Sequence, residues 1–397
     1  MKEGWTYKKL GEVCDIFNGN SINADYKKEH FYGAKEGLPF IATKDVLTNR
    51  QIDYDNGVRI PNFKDFKIAP AKSVFICAEG GSAGKKFAYV EKEVCFGNKL
   101  FCLNPKVKSL EGKFVYHYIQ SDLFKKQFKT LLSGLIGGVS AKKFQSIDII
   151  IPPYEEQIKI VSRLDAAFSH IDELKANAEK QLSEARVLFQ KSLAKAMEPK
   201  EGWEEKKLIE ITHDNCPISY GIVQQGDHID GGIPVVRPVD MREKYITREN
   251  LKCTTQTISD SYKRTILRGD ELLLSVRGTT GIISLATPEL KGCNVNRGIV
   301  PLYFKDQINK DFLYYEMVSP LLQPVFAEKT TGSTLKQINI KDLRLIKLSL
   351  PPLSEQQRIV ERLEALSAHV RELEEYQKKI ITECDALKQA LLRKVFE

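Results

Sequence analysis

The sequence predicts an α+β chain. Two mixed α/β domains, related by pseudo-twofold symmetry, are joined by two long helices that pair as an antiparallel coiled coil. Three observations predict this. Nearly the same string occurs twice, IPPYEEQIKIVSRLD at 151–165 and LPPLSEQQRIVERLE at 350–364. Shorter matches precede each string at similar spacing. After each Pro-Pro pair the chain runs from Tyr154 to Met197 and from Leu353 to Phe396 without Pro or Gly. The expected boundaries are 1–150 and 198–349 for the domains, and 151–197 and 350–397 for the helices.

The matches ahead of the helices define a unit of about 198 residues. EGW at 3–5 recurs at 201–203, and KKL at 8–10 recurs at 206–208. LPFIATKDV at 38–46 pairs with IPVVRPVDM at 233–241, and AEGGSAG at 78–84 with SVRGTTG at 275–281. Asn98-Lys99 pairs with Asn296-Arg297, and KFVYHYI at 113–119 with DFLYYEM at 311–317. The offset wanders through the front of each copy and settles through the back. Insertions collect in loops, and loops carry function, so the front segments diverge while the back segments keep their geometry.

Each front segment reads as a mixed α/β domain. The runs SVFIC, FAYV, ELLLSV and GIVPLYF are β-branched or aromatic and sit between Gly, Asn and Pro turns. One helix per copy is expected near 112–132 and 309–328. Basic residues mixed with Asn, Gln, Ser, Thr and aromatics can contact phosphates and read base edges.

Each back segment reads as one helix that starts after Pro-Pro. In the second, the apolar steps of 4 and 3 run Ile359, Leu363, Leu366, Val370, Leu373, Gln377, Ile380, Cys384, Leu387, Leu391. The first gives Ile160, Leu164, Ala167, Ile171, Leu174, Ala178, Gln181, Ala185, Leu188, Ser192. A seven-residue repeat sustained this long predicts a coiled-coil seam. Large residues in one seam face small ones in the other, so the two helices are expected to pair with each other. A helix of about 44 residues spans roughly 66 Å, which makes the pair a rigid spacer.

Composition bounds the function classes. A length of 397 residues exceeds one typical domain. Hydrophobic content of 42% with charged content of 28% describes a soluble globular chain with a normal core. The net charge of +8 suits an anionic partner. MKEGWTYKKLGEV lacks the apolar stretch of a signal peptide, and no run approaches 18 apolar residues. The eight cysteines are scattered, with no C-x-x-C and no His pair at ligand spacing. They read as reduced thiols of a cytoplasmic protein, and a metal site is not expected.

Two motifs invite enzymatic readings, and both fail. Pro152-Pro153-Tyr154 echoes the Pro-Pro-Tyr of adenine methyltransferases, where an Asn, Asp or Ser before it accepts a hydrogen bond from the target amino group. Ile151 and Leu350 stand there and cannot accept it. GGSAGKK at 80–86 invites a P-loop reading, but Glu79 holds the first glycine place and Lys86 the hydroxyl place. A glycine turn beside Lys85, Lys86 or Arg277 does suit a phosphate contact. The six histidines form no acid–base constellation, so no catalytic site is expected.

A duplicated unit of variable domain plus Pro-Pro-x-x-E-Q-x-x-I-V-x-R-L helix resembles the specificity subunit of type I restriction–modification systems, the HsdS family. The residues carrying the resemblance are Pro152, Pro153, Glu156, Gln157, Ile160, Val161, Arg163 and Leu164, with Pro351, Pro352, Glu355, Gln356, Ile359, Val360, Arg362 and Leu363. EGW…KKLGEV, RGTTG and NVNRG are also similar to that family. The first copy departs at EGGSAGK and GNKLF.

The resemblance implies two target recognition domains, each reading half of a split, asymmetric double-stranded DNA target, with the helices as a ruler between half-sites. It implies two modification (methyltransferase) subunits and restriction (translocase/nuclease) subunits as partners, and no membrane. No cofactor is implied for this chain; S-adenosylmethionine, ATP and Mg belong to the partners. The candidate DNA contacts are Lys44, Gly81, Ser82, Lys85, Lys86, Asn98 and Lys99 in the first copy. Those of the second are Arg237, Arg277, Gly278, Thr279, Thr280, Asn296 and Arg297. A specificity chain for a fused nuclease–methyltransferase, a lone methyltransferase and a scaffold without DNA are the competing readings.

Overall fold

A computed structural model of the protein describes residues 4–132 and 137–397, so Glu3 of the first EGW lies outside the described residues. By contacts the chain divides into two compact units, Met1–Glu179 with Lys378–Glu397, and Lys180–Gln377. Each long helix, Tyr154–Met197 and Leu353–Phe396, is therefore shared between the units.

The first unit begins with Thr6–Lys9, which pairs antiparallel with Asp148–Ile151, the strand that enters Pro-Pro. A four-stranded sheet follows in the order Cys14–Asn18, Leu100–Pro105, Val74–Cys77, Phe87–Tyr89. A second sheet orders Arg59–Ile60, Leu38–Ile41, Val94–Phe96, Ile68–Ala69, and its central pair is parallel. The valines, isoleucines and phenylalanines of these strands fill the core, as pleated, half-covered surfaces favour.

The second unit repeats this plan. Glu204–Lys207 pairs with Lys347–Leu350. Its four-stranded sheet orders Tyr245–Ile246, Ile283–Ala286, Leu272–Ser275, Ile299–Leu302. Its second sheet orders Lys252–Thr254, Ile233–Val236, Asn294–Val295, again with a parallel pair.

Where one helix per copy was expected, each unit has two. Gly112–Tyr118 is followed by Asp122–Leu131, and Lys310–Val318 by Gln323–Lys329. A fully buried serine makes the break in both. Ser121 Oγ accepts from Phe124 N–H at 3.2 Å, and Ser319 Oγ accepts from Leu322 N–H at 3.2 Å. In the first copy the hydroxyl caps the new helix; in the second it closes the turn that precedes Gln323, where Pro320 denies a continuous helix.

Inside each unit the two long helices run antiparallel, since partners rise along one as they fall along the other. In the first unit Asp172 pairs with Lys388, and Lys175 Nζ meets Asp385 at 2.8 Å. In the second, Gln181 Oε1 accepts from Gln377 Nε2 at 2.7 Å and Arg186 Nε meets Glu374 at 2.6 Å. The seam differs from the apolar pattern in one respect. Leu164, Ile171, Ala178 and Ala185 are buried as expected, but Val161 and Phe168 replace their predecessors, and Leu174 is 57% exposed. On the partner helix Leu387 is 50% exposed while the Lys388 side chain is only 12% exposed. Lysine packs its apolar stem in the seam and carries its charge to an aspartate, which hydrophobicity alone does not register.

Both helices also enter each domain's core. Phe396 lies against Phe114 and Tyr118, with ring centroids 5.3 and 5.6 Å away. Leu193, Met197, Ile359 and Leu363 belong to the core of the second unit. All cysteines but Cys253 are buried. Among the described residues no helix is long and apolar enough to cross a membrane.

Candidate nucleic-acid interface

The repeated E-Q of the helix start explains itself in structure. Gln157 is fully buried; its Nε2 donates to Ser109 O and Pro152 O at 2.8 and 2.9 Å, and its Oε1 accepts from Glu111 N–H at 2.9 Å. Gln356 does the same with Pro351 O at 2.8 Å, Gln307 O at 3.5 Å and Asn309 N–H at 2.8 Å. Trp5 Nε1 donates to Glu156 at 3.0 Å. The Pro-Pro motif is thus a clamp fixing each helix start to its domain.

At the other end of each core, both domains build the same groove from the same five backbone bonds. In the second, Ile222 N–H donates to Val295 O, Arg297 to Ile222 O, Val276 to Gly298 O, Ile338 to Val276 O and Gly278 to Lys336 O, all at 2.7–2.9 Å. In the first, Asn20 N–H donates to Phe96 O, Asn98 to Asn20 O, Ala78 to Lys99 O, Val139 to Ala78 O and Gly80 to Gly137 O, at 2.8–3.2 Å. These bonds place Asn98 where Arg297 stands, and Glu79 where Arg277 stands. Both sequence pairings thus move by one residue. Gly19 and Gly221 pass so close to the neighbouring strand that a Cβ would lie 1.9 Å from Phe96 O or Val295 O. Only glycine fits, and it aims the residue before it, Asn18 or Tyr220, at the groove.

The second groove, about 600 Å³, is lined by Tyr220, Arg277, Arg297, Asn339 and Lys341. The first, about 410 Å³, is lined by Asn18, Glu79, Asn98 and Ser140. Arg277 Nε is buried without a hydrogen-bond partner, and among the described residues the side chains of Arg297 and Asn98 make no hydrogen bond. Glu79 lies 3.8 Å from Lys99. Of the residues singled out in the sequence, the structure brings Arg277 and Arg297 together in one groove and sets Asn98 in the other.

The remaining candidates border these grooves or serve their own loops. Lys86 Nζ donates to Thr43 O at 3.0 Å, drawing its turn beside Lys44, whose ammonium lies 3.7 Å from Asp45. Lys85 Nζ donates to Gly81 O at 3.1 Å, and Gly81 has open space where a Cβ would stand. Ser82 accepts backbone bonds from Lys85 and Lys86 through its carbonyl. Gly278, at φ +83°, also faces open space. Thr279 is exposed, and Thr280 Oγ1 lies 2.9 Å from Thr330 Oγ1. Asn296 turns its amide oxygen back to Gly298 N–H at 2.8 Å. Arg237 is apart from them: its fork is held by Asp240 at 3.0 and 2.9 Å, which raises its pKa. Tyr220, Asn339, Asn18 and Ser140 were missed by the sequence pattern; the steric demand at Gly19 and Gly221 is the signal that points to the first of each pair.

Two open grooves of amide, guanidinium, carboxylate and phenol groups define a recognition protein with a duplicated reading domain. The chain matches the type I restriction modification DNA specificity domain twice, over residues 2–184 and 200–383, and belongs to that family. It is a DNA specificity subunit with two target recognition domains.

Among similar proteins, the type I restriction enzyme EcoBI specificity subunit of Escherichia coli is 25% identical over all of this chain and 86% of its own length. The EcoKI specificity subunit of Escherichia coli strain K12 is 24% identical, covering all of this chain and 89% of its own. Of solved structures, a chain from a study of complex assembly and conformational transition in the type I R-M system aligns with a TM-score of 0.77. It shares 20% identity and covers 100% of this chain and 98% of that one. The HsdS subunit from Thermoanaerobacter tengcongensis aligns at 0.56, with 21% identity over 100% and 97% of the two chains. These structures share the fold.

Proposed function

We propose that this chain reads a bipartite, asymmetric DNA target, one half-site per domain, and scaffolds modification and restriction subunits without catalysing a step itself. The observation that carries this is the equivalent groove in each domain, built on the same backbone bonds and rimmed by free donors and acceptors. Lys44, Lys85, Lys86 and Lys99, with the turns at Gly81-Ser82 and Gly278-Thr279-Thr280, supply charge and backbone donors for phosphates along the groove rims. Methyl transfer and translocation, with S-adenosylmethionine, ATP and Mg, reside on the partner subunits, and the complex works in the cytoplasm.

The helices supply the docking face. In the first unit Leu174 and Leu387, 57% and 50% exposed, sit between the two ion pairs; in the second, Leu188 and Leu373 are 59% and 36% exposed. An apolar pair in each unit supports one modification subunit per unit.

Methylome sequencing of a host expressing this chain with its modification subunit tests the whole. A single bipartite motif with one modified adenine per half is expected. No motif from an intact complex would sink the DNA-reading role and favour a scaffold.

A further inference from the structure

The groove positions differ between the domains in a way that phosphate contact does not explain. Glu79 occupies the place of Arg277, and a carboxylate set against phosphate is repelled. A position that carries opposite charges in two copies of one frame follows what each copy reads, not the backbone both must hold. Arg277 therefore belongs with the reading residues rather than with the phosphate contacts.

Resting on the DNA-reading role above, we propose that the two grooves read base edges with opposite hydrogen-bond polarity. Arg277 and Arg297 offer donors only, and guanine presents two acceptors, N7 and O6, in the major groove. Glu79, as carboxylate, offers acceptors only, and Asn98 adds an amide that pairs with adenine N6 and N7. The second domain takes guanine at the positions these side chains face. The first takes a base that presents an amino group in the major groove, adenine or cytosine. Tyr220, 52% exposed, lines the second groove beside the two arginines where the first groove has Asn18.

The test is selection from DNA pools randomised in one half-site at a time, using the full chain with its modification subunits. Arg297→Gln is exposed and leaves the core untouched, so a matching thermal melt should confirm its fold. It is expected to lose guanine preference at one position of one half-site, by roughly 5- to 150-fold, with the other half-site unchanged. Asn98→Arg is expected to shift one position of the other half-site towards guanine. If Arg297→Gln instead weakens all sequences equally and lowers the salt slope by about one, the residue touches phosphate and the base-reading assignment falls, with the DNA role intact. If the wild-type complex selects no sequence, the DNA role falls and takes this assignment with it.

Discussion

The two copies hold their helices alike and face their grooves differently. Gln157 and Gln356 make the same bonds, and the buried Ser121 and Ser319 each accept from the N–H three residues on, where the first helix ends. Yet Asn98 stands in the first groove where Arg297 stands in the second, and Glu79 where Arg277 stands, on the same backbone frame. Between these extremes lies the flank where domain meets helix. In the first unit Asp165 takes Lys113 at 2.7 Å and His117 at 2.8 Å. Burial works to raise its carboxyl, but those hydrogen bonds outweigh it and hold it below the usual range. In the second unit Asp311 replaces that lysine and Glu364 that aspartate, and Lys244 from another loop bridges both. Burial tends to lower Lys244, and its two carboxylate bonds more than reverse that. Duplicated parts tolerate a swap of partners where charge stays balanced, and keep identity where a buried amide must be satisfied.

Truncating the helix ends should break the likeness most. Phe396→Ala removes a ring packed on Phe114 and Tyr118, and should cost the first unit about 3–5 kcal/mol in denaturant unfolding. Met197→Ala, the matching change in the second unit, should cost about 2–5 kcal/mol. Equal, negligible losses would mean that the helices do not complete the cores. Gln157→Leu should come next, at about 3 kcal/mol, because it strands Glu111 N–H and two carbonyls without partners. Gln356→Leu should match it, and a clear difference would end the view of a common clamp.

Acidity should separate the units. Glu316 stands where the first copy has Tyr118, and burial pushes its carboxyl from 4.5 up to about 8, against the bond from Ser349 N–H. The folded chain then holds a proton that the unfolded chain has released. Between pH 4.5 and 8 this group makes stability fall as pH rises, by about 1.4 kcal/mol per pH unit. Glu316→Gln should flatten that slope in a pH series of melts, and an unchanged slope would place the titration elsewhere. Tyr118, its hydroxyl pushed up by burial, adds no slope in that window. The smallest effect belongs to Arg186→Ala, which removes the exposed pair with Glu374 and should lower the melting temperature only slightly, an effect that vanishes at high salt. A larger, salt-independent loss would show that the stem packs as Lys388 does.

The sequence by itself determined the duplication, the helix starts and the antiparallel pairing, because Pro-Pro, the absence of Gly and a seven-residue apolar rhythm are local and repeat. It also pointed to Arg277, Arg297 and Asn98, which stand beside glycine turns. Only the tertiary structure decided which groove residues are equivalents. Asn18 and Tyr220 follow insertions of unequal length, and Glu79 pairs with Arg277 only through bonds to strands far away in the chain. The seam was likewise legible only in part, since Lys175 and Lys388 bury stems that a hydrophobic pattern counts as polar. Periodicity records what each residue type prefers; long-range hydrogen bonds and the reach of a side chain decide where it meets a partner.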